Sequence, residues 1–323
     1  MRHLSATIAI AILIPLGLPS SGVGVSDNRV EREHCIYLCE SPHYLDVVDQ
    51  TVARTRQALF ELTGDTLPYR PSIHIVSNLA DFNDLIGGKF PDWGAAAAFP
   101  ERRLIAIKSP SHFNINRSLE ELVAHEYAHL LVSHATGFSS APRWFEEGVA
   151  MYVSAEWSWS DNLAMSKAAV LGQIIDLSEI DNVNRFTEGR AHVAYAESFL
   201  AIKFLVHTYD LDVISRFLKS LSAGGSAGEA IYAATGSTEL EFASDFKTYL
   251  HQQFNIMSLF MDTIFFWLGL SVLVIIGGWM RYRKKQQYYR KWERQERLES
   301  TDFDYGDPAN PEKIEDDDEP WRT

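Results

Sequence analysis

The sequence predicts an α+β fold: a small mixed β/α subdomain followed by a mainly helical subdomain, with one C-terminal transmembrane helix. Three observations lead to this prediction. Short strand-like segments occur between residues 72 and 107, helical periodicity dominates residues 118–253, and an uncharged apolar run occupies residues 263–280. Strands and helices that are segregated along a chain indicate an α+β domain. A long uncharged apolar run is typical of a membrane-spanning helix.

The composition restricts the class of protein before any motif is considered. The chain has 323 residues, a formal net charge of −14 and 46% hydrophobic residues, a balance typical of globular proteins. A broad nucleic-acid-binding surface would need a basic stripe, so we expect no nucleic-acid partner. Much of the acidity lies in residues 302–323, which include the run EDDDE at 315–319. Like-charge runs of this kind are typical of disordered tails.

The first 24 residues have the layout of a secretory signal peptide. Arg2 and His3 precede an apolar run at residues 6–18, and serines and glycines follow it. The run is shorter than the roughly 20 residues that a membrane span requires. An uncleaved N-terminal anchor is the alternative, because no clean A-x-A cleavage site is present. The signal peptide places the domain at residues 25–255 outside the cytoplasm.

A second apolar segment, residues 257–280, is predicted to form the transmembrane helix. It holds no charged residue from 263 to 280, which fits the length and purity of a membrane span. The basic run RYRKK follows at 281–285, and positive charge on one flank marks that flank as cytoplasmic. The sequence therefore predicts a single-pass protein of the cell (inner) membrane, held in the lipid bilayer by this helix, with an extracytoplasmic or periplasmic domain. Residues 281–323 would form a cytoplasmic tail, basic and then acidic, that a cytoplasmic partner could bind.

Two cysteines, Cys35 and Cys39, fall in the part predicted to be exported. An oxidising compartment permits a disulfide between them, although the small loop must satisfy disulfide geometry. Metal binding is the alternative, but the sequence holds no further cysteine to complete a site. Both alternatives stay open at the level of sequence.

The first half of the predicted domain mixes helices and strands. Apolar residues recur at helical spacing over residues 43–62, and the pattern stops at Gly64. Alternation at residues 72–76 predicts a strand. A short helix over residues 81–86 and a second strand over residues 104–107 are predicted to follow.

From residue 118 onward the pattern is helical. Ser118 and Glu121 form a capping box, and the helix that they open is predicted to run to about His134. Pro142, a favoured first-turn residue, opens a second helix. Periodicity predicts three more helices, over residues 191–209, 211–221 and 239–253.

The capped helix carries the sequence HEYAH, from His125 to His129. Histidines at i and i+4 lie on one helix face, so both imidazoles can reach one metal ion. Zinc accepts such nitrogen ligands, and a catalytic zinc site keeps a fourth position for water. Glu126 can take a proton from that water. The alternative is an ordinary amphipathic helix with surface histidines, and the apolar flanks of the motif weigh against it.

A candidate third ligand follows in the segment PRWFEEGVA, residues 142–150. The HEYAH motif followed by W-x-x-E-G-x-A resembles the gluzincin clan of zinc metallopeptidases, and residues 72–250 resemble the bacterial peptidase MA-like domains of that clan. The resemblance implies a thermolysin-like fold, zinc as cofactor, and Glu147, the glutamate before the glycine, as the third ligand. Glu146 is the neighbouring rival, and its other role is that of an acid near a helix start, which the helix dipole favours.

Tyr195 matches a further position, and the resemblance implies that it stabilises the oxyanion of the reaction. A core tyrosine with a satisfied hydroxyl is the alternative. Two positions depart from the pattern. Thermolysin-like enzymes carry an aspartate one turn after the third ligand, where this chain has Met151, so another residue must orient the histidine. Aminopeptidase-N-like enzymes carry the glutamate of G-A-M-E-N before the catalytic helix, whereas residues 94–98 read GAAAA.

These features together predict a zinc metallopeptidase that acts on a peptide or protein substrate. The missing acid at residues 94–98 favours endopeptidase over aminopeptidase action, and the strand at residues 104–107 is expected to pair with the extended peptide. Two alternatives stay open: a non-enzymatic zinc-binding recognition protein on the same fold, and a zinc hydrolase of a non-peptide bond. The predicted roles are the zinc ligands His125, His129 and Glu147, the general base Glu126, and the oxyanion donor Tyr195.

Overall fold

A computed structural model of the chain describes residues 29–39, 42–88, 94–210 and 212–298. The predicted signal peptide and the acidic run of the predicted tail lie outside these residues. The chain divides into two compact units, residues 1–262 and 263–323. The first unit contains a sheet and the helices that surround it, and it carries every predicted site residue.

The described part of the first unit contains a five-stranded mixed sheet. Its strands follow one another in space in the order β1-β2-β3-β5-β4. Strands β2, β3 and β5 run parallel, and β1 and β4 pair antiparallel at the two ends of the sheet. The strands are β1 (Arg29–Glu31), β2 (Ile36–Cys39), β3 (Ser72–Val76), β4 (Ala96–Phe99) and β5 (Leu104–Lys108).

Helices lie against both faces of this sheet. Successive strand residues point to opposite faces: Ile105 and Ile107 of β5 join the main core, whereas Ala106 packs in a smaller cluster with Phe82. The predicted helix and strand at residues 43–62 and 72–76 are confirmed, and Gly64 ends the helix in a left-handed conformation, with a φ of 74°. The helices are α1 (Leu45–Thr63) and α2 (Leu79–Ile86), with short 3-10 turns at Pro42–Tyr44 and Pro100–Arg102.

The sheet topology corrects one prediction about the substrate. Strand β5 is hydrogen-bonded on one side to β3 and on the other side to β4. The prediction that residues 104–107 pair with a peptide is therefore wrong, because both edges of that strand are occupied. Within the described residues, β4 is the last strand on that side.

The second half is helical, as predicted. The capping box of Ser118 and Glu121 is confirmed, and the helix that it opens ends at Ala135. The helix predicted from Pro142 begins one residue later. The helices are α3 (Leu119–Ala135), α4 (Arg143–Ser154), α5 (Trp159–Leu171), α6 (Glu188–Thr208), α7 (Val213–Ser222), α8 (Ala227–Thr235) and α9 (Glu239–Gln253), with a 3-10 segment at Leu177–Arg185.

Helices α4 and α6 approach each other closely at Gly148. A Cβ atom built on Gly148 would lie 2.3 Å from the Ser198 carbonyl oxygen of α6 and 2.7 Å from Ile202 Cγ1. Only a residue without a side chain fits this contact, because the facing backbone atoms cannot rotate away. The glycine that follows Glu147 therefore sets the distance between the two helices.

The predicted transmembrane helix and the single-pass membrane localisation need correction. Among the described residues, no helix combines the length and the apolar character that crossing a membrane requires. The apolar run belongs to α10 (Ile256–Leu298), a helix of 43 residues that continues through the basic run at residues 281–285. The same helix therefore contains both the apolar run and the charged residues that follow it.

Cys35 and Cys39 are both buried on β2 or next to it, and no disulfide joins them. The disulfide alternative does not hold in this structure. Burial raises the pKa of Cys35 to about 12, so its sulfur stays protonated at neutral pH. Metal binding by the two cysteines has no support in the described residues, since neither lies in a group of side chains that could hold an ion.

Candidate metal centre

Helix α3 places both histidines of the HEYAH motif inside the protein. The capping box fixes the start of the helix, and apolar residues on either side of the motif bury it between the sheet and the other helices. His125 is 2% exposed, His129 is 6% exposed and Glu126 is fully buried. The alternative of a surface helix with solvated histidines is therefore wrong. The two imidazole rings lie edge to face, with centroids 4.8 Å apart.

Helix α4 brings a carboxylate to the same place. Glu147 Oε2 lies 3.4 Å from His125 Nε2 and 3.8 Å from His129 Nε2. Two ligands at roughly 2.0–2.1 Å from a tetrahedral zinc ion lie about 3.4 Å apart. One atom of each of the three residues lies within 4.8 Å of the others, so the group could hold a metal ion.

The hydrogen bonding of these atoms also fits a metal ion. Both Nε2 atoms and Glu147 Oε2 are buried and have no hydrogen-bond partner among the described residues. Buried polar atoms are costly when they lack partners, so a converging set of them calls for an occupant. Two neutral imidazoles and a carboxylate are the donor types that zinc accepts. The residues present therefore fit a zinc ion.

Neighbouring charged residues contact Glu147 and His125 and hold their side chains in place. Arg143, one turn before Glu147 on α4, lies with its guanidinium 2.9 Å from Glu147 Oε1, which leaves Oε2 facing the histidines. His125 Nδ1 lies 2.9 Å from Glu156 Oε1. An acidic acceptor at this distance favours the tautomer with the proton on Nδ1, whose Nε2 lone pair is open to a metal.

Burial sets the protonation of the two histidines. It lowers the pKa of His125 well below its usual range, and the positive charges of Arg117 and Arg143 lower it further. Burial likewise lowers the pKa of His129 to about 3. Both imidazoles are therefore neutral at physiological pH, the state in which histidine binds metals.

Glu126 lies beside the three ligands, and neither of its carboxylate oxygens makes a well-formed hydrogen bond. The pKa of Glu126 is raised to about 8, because burial and the neighbouring Glu147 raise it more than the charge of Arg117 lowers it. A bound cation would lower this pKa again, since it favours the ionised carboxylate. A buried carboxyl group with a pKa near neutrality can both accept and release a proton.

Tyr195 on α6 completes the group. Its hydroxyl is buried, and Glu147 and Arg143 are the charged groups that act on it most strongly. Burial raises the pKa of Tyr195, with Glu147 adding to the effect, so the phenol keeps its proton and can donate it in a hydrogen bond. Glu146 does not belong to the metal-capable group found among the described residues, and burial raises its pKa to about 7.

Sequence reasoning missed three residues around this centre: Arg117, Arg143 and Glu156. The spacing of Arg143 and Glu147, four residues apart on one helix, is a readable signal for an ion pair. Met151 indicated that an acceptor for a histidine must come from elsewhere, but no local pattern identifies Glu156. Its contact with His125 joins residues that are 31 positions apart.

Comparison with known proteins gives the family. A model of the Peptidase MA superfamily matches residues 51–252, which include both helices of the centre and Tyr195. The chain is also similar to YhcO of Bacillus subtilis (strain 168), an uncharacterized protein, with 25% identity over 154 residues. That similarity covers 45% of this chain and 44% of YhcO, so it spans less than half of the relative's length. Because the family match covers more than half of the chain and confirms the resemblance to peptidase MA-like domains, the chain belongs to the Peptidase MA superfamily.

Proposed function

We propose that this protein is a zinc-dependent peptidase that cleaves internal bonds of peptides or proteins. One observation carries the proposal: the ligand atoms of His125, His129 and Glu147 converge in a chain of a peptidase superfamily, with a further buried carboxylate beside them. Glu126 supplies that carboxylate.

The chain's own residues divide the chemistry among them. His125, His129 and Glu147 would hold the ion, which supplies a Lewis acid for the scissile carbonyl and a lowered pKa for water. Glu126 would take the proton of the attacking water and deliver it to the departing amine. Tyr195 would donate a hydrogen bond to the carbonyl oxygen as negative charge develops there.

The substrate would lie along the end strand of the sheet. Among the described residues, strand β4 pairs on one side with β5 and has no strand on its other side, where an extended peptide would pair. Backbone pairing of this kind grips both flanks of a bond. Strand β4 lies close to the proposed general base, because the backbone N–H of Ala98 interacts with the Glu126 carboxylate and lowers its pKa.

The proposed preference for internal bonds rests on what residues 94–98 lack. The stretch is a glycine and four alanines, all buried, so it offers no carboxylate to a substrate's N-terminal amine. An ammonium group that is desolvated without a partner is unfavourable by several kcal/mol or more. A peptide flanked on both sides of the cleaved bond avoids this penalty.

The test compares the zinc-loaded full-length chain with its Glu126→Gln variant on a library of unstructured peptides. The variant keeps the shape of Glu126 and loses the proton acceptor, so its cleavage rate is expected to fall by about 10²–10⁴ while zinc stays bound. Equal cleavage of free and N-acetylated forms of a peptide supports endopeptidase action, whereas stepwise loss of N-terminal residues that acetylation blocks contradicts it.

The same experiment distinguishes the two alternative functions. Zinc binding without cleavage of any peptide would favour a recognition protein. Cleavage of ester or amide substrates of other classes, with peptides left intact, would favour a hydrolase of non-peptide bonds. Full activity of the Glu126→Gln variant would contradict the proposed mechanism.

A further inference from the structure

Glu156 supplies the hydrogen-bond acceptor for His125 that the sequence motif lacks. Met151, one turn after Glu147, carries no acceptor for an imidazole N–H. Helix α4 ends three residues later, and Ala155 adopts a left-handed conformation with a φ of 58°. Glu156 follows this residue, and its Oε1 lies 2.9 Å from His125 Nδ1.

Two further side chains hold the Glu156 carboxylate. Ser154 donates its hydroxyl to Glu156 Oε1 at 2.7 Å. Arg117, which precedes the cap of α3, forms an ion pair with the same oxygen. The side chains of Arg117 and Glu156 are each 13% exposed, so the pair is screened only weakly by water.

We propose that Glu156 is a positioning residue for the metal centre, which fixes the ring and the tautomer of His125 so that Nε2 faces Glu147. Arg117 and Ser154 fix Glu156 in turn. The inference rests on the proposed function, since it assumes that His125 is a metal ligand. Thermolysin-like enzymes orient the histidine with an aspartate one turn after the third ligand, and here Glu156, beyond the end of α4, would do so instead.

The physical reason is the freedom of an imidazole ring. Either nitrogen of a neutral histidine can carry the proton, and the ring can turn about its bond to Cβ. A carboxylate on Nδ1 selects the tautomer with Nε2 unprotonated and holds the ring in one orientation. Loss of such an outer partner weakens metal binding by about 10–100-fold.

A purely structural role for Glu156 makes a different prediction. If Glu156 serves only to neutralise the buried guanidinium of Arg117, removal of both charges together restores the centre. Replacement of a buried ion pair by apolar residues of similar volume is often neutral or stabilising. If Glu156 positions His125, the paired replacement still lacks the acceptor on Nδ1, and metal binding stays weak.

The experiment measures zinc dissociation constants of the full-length chain by competition with a chelator, together with the melting temperature of the metal-free protein. Glu156→Met is expected to weaken zinc binding by about 10–100-fold. Arg117→Met/Glu156→Met is expected to stay as weak, and Glu156→Gln, whose amide oxygen can accept from Nδ1, to recover part of the loss. Glu120→Met, the same substitution on the exposed side of α3, is the control and is expected to stay within about twofold of wild type.

The outcomes separate the inference from the proposed function. Wild-type affinity in Glu156→Met, or recovery to wild-type affinity in the double variant, overturns the positioning role and leaves the proposed zinc site standing. A wild-type chain that binds no zinc overturns both. If Glu156→Met does not fold because Arg117 is left unpaired, the double variant decides the question, since it buries no lone charge.

Discussion

The contact at Gly148 yields the sharpest prediction about the architecture of the centre. In Gly148→Ala, the new Cβ would lie 2.3 Å from the Ser198 carbonyl oxygen and 2.9 Å from the Ser198 carbonyl carbon. Non-bonded carbon atoms are normally about 3.5–4.0 Å apart. The two helices must therefore separate by roughly 1 Å or the α6 backbone must distort.

The magnitude follows from two opposing effects. Overpacking of a well-packed core is unfavourable by about 1–3 kcal/mol and occasionally more, and a contact with rigid backbone puts this site at the upper end. Alanine in place of glycine within a helix is favourable by about 1 kcal/mol. A net loss of about 2 kcal/mol in the free energy of unfolding is expected. Glu147, the adjacent residue, moves with the helix, so zinc binding should weaken as well.

Urea denaturation of the metal-free protein measures this loss, and Gly189→Ala is the matched control. Gly189 also lies in a helix, and a Cβ there meets no atom within 4 Å. Because Gly189 is the second residue of α6 and not in its middle, the control is expected to match wild type or to gain at most about 0.5 kcal/mol. A Gly148→Ala protein that is as stable as wild type, or more stable, would refute the close packing of α4 on α6.

Three other changes test polar side chains of helices α4 and α6. Arg143→Met removes the positive charge that pairs with the buried Glu147 carboxylate, and it should lower the stability of the metal-free protein by about 3–5 kcal/mol. The second substitution Glu147→Gln should recover much of this loss. Additive losses of the two substitutions in a double-mutant cycle would count against the ion pair. Tyr195→Phe should lower kcat on a cleaved peptide by about 10²–10³ with zinc content unchanged, and an unchanged kcat would remove the tyrosine from the mechanism. Burial raises the pKa of Glu197 from 4.5 to about 8, so the folded protein holds a proton that the unfolded chain releases. The contribution of Glu197 to stability is then greatest below pH 4.5 and falls as pH rises to about 8, by at most about 1.4 kcal/mol per pH unit. Glu197→Gln should remove this part of the pH dependence of the free energy of unfolding, measured by urea titration at several pH values. The same pH dependence in both proteins would contradict the prediction.

Local patterns predicted the elements that carry the centre. The capping box at Ser118 fixes the start of α3, and the spacing of His125 and His129 fixes a common face, because both signals depend only on residues within one or two helical turns. The glutamate before Gly148 is identified in the same way, by the motif around it. The structure brings His125, His129 and Glu147 together, and not the neighbouring Glu146.

Strand β4 and the role of Glu156, which depend on distant partners, were not predicted. Strand β4 consists mostly of alanine, which has a weak strand preference, and it forms because β5 pairs with it and α2 and α3 bury it. Glu156 lies past the end of α4, and only the fold brings it to His125. By contrast, the capping box of Ser226 and Glu229 that opens α8 was a local signal, and sequence reasoning could have used it.

The most direct test of the metal centre is the zinc content of paired neighbouring variants. Glu147→Ala removes a predicted ligand, whereas Glu146→Ala removes the adjacent acid, which lies outside the metal-capable group. After dialysis and metal analysis, wild type and Glu146→Ala are expected to hold one zinc ion per chain and Glu147→Ala to hold none. Zinc retained by Glu147→Ala and lost from Glu146→Ala would contradict the assignment, and a wild-type chain without zinc would contradict the account as a whole.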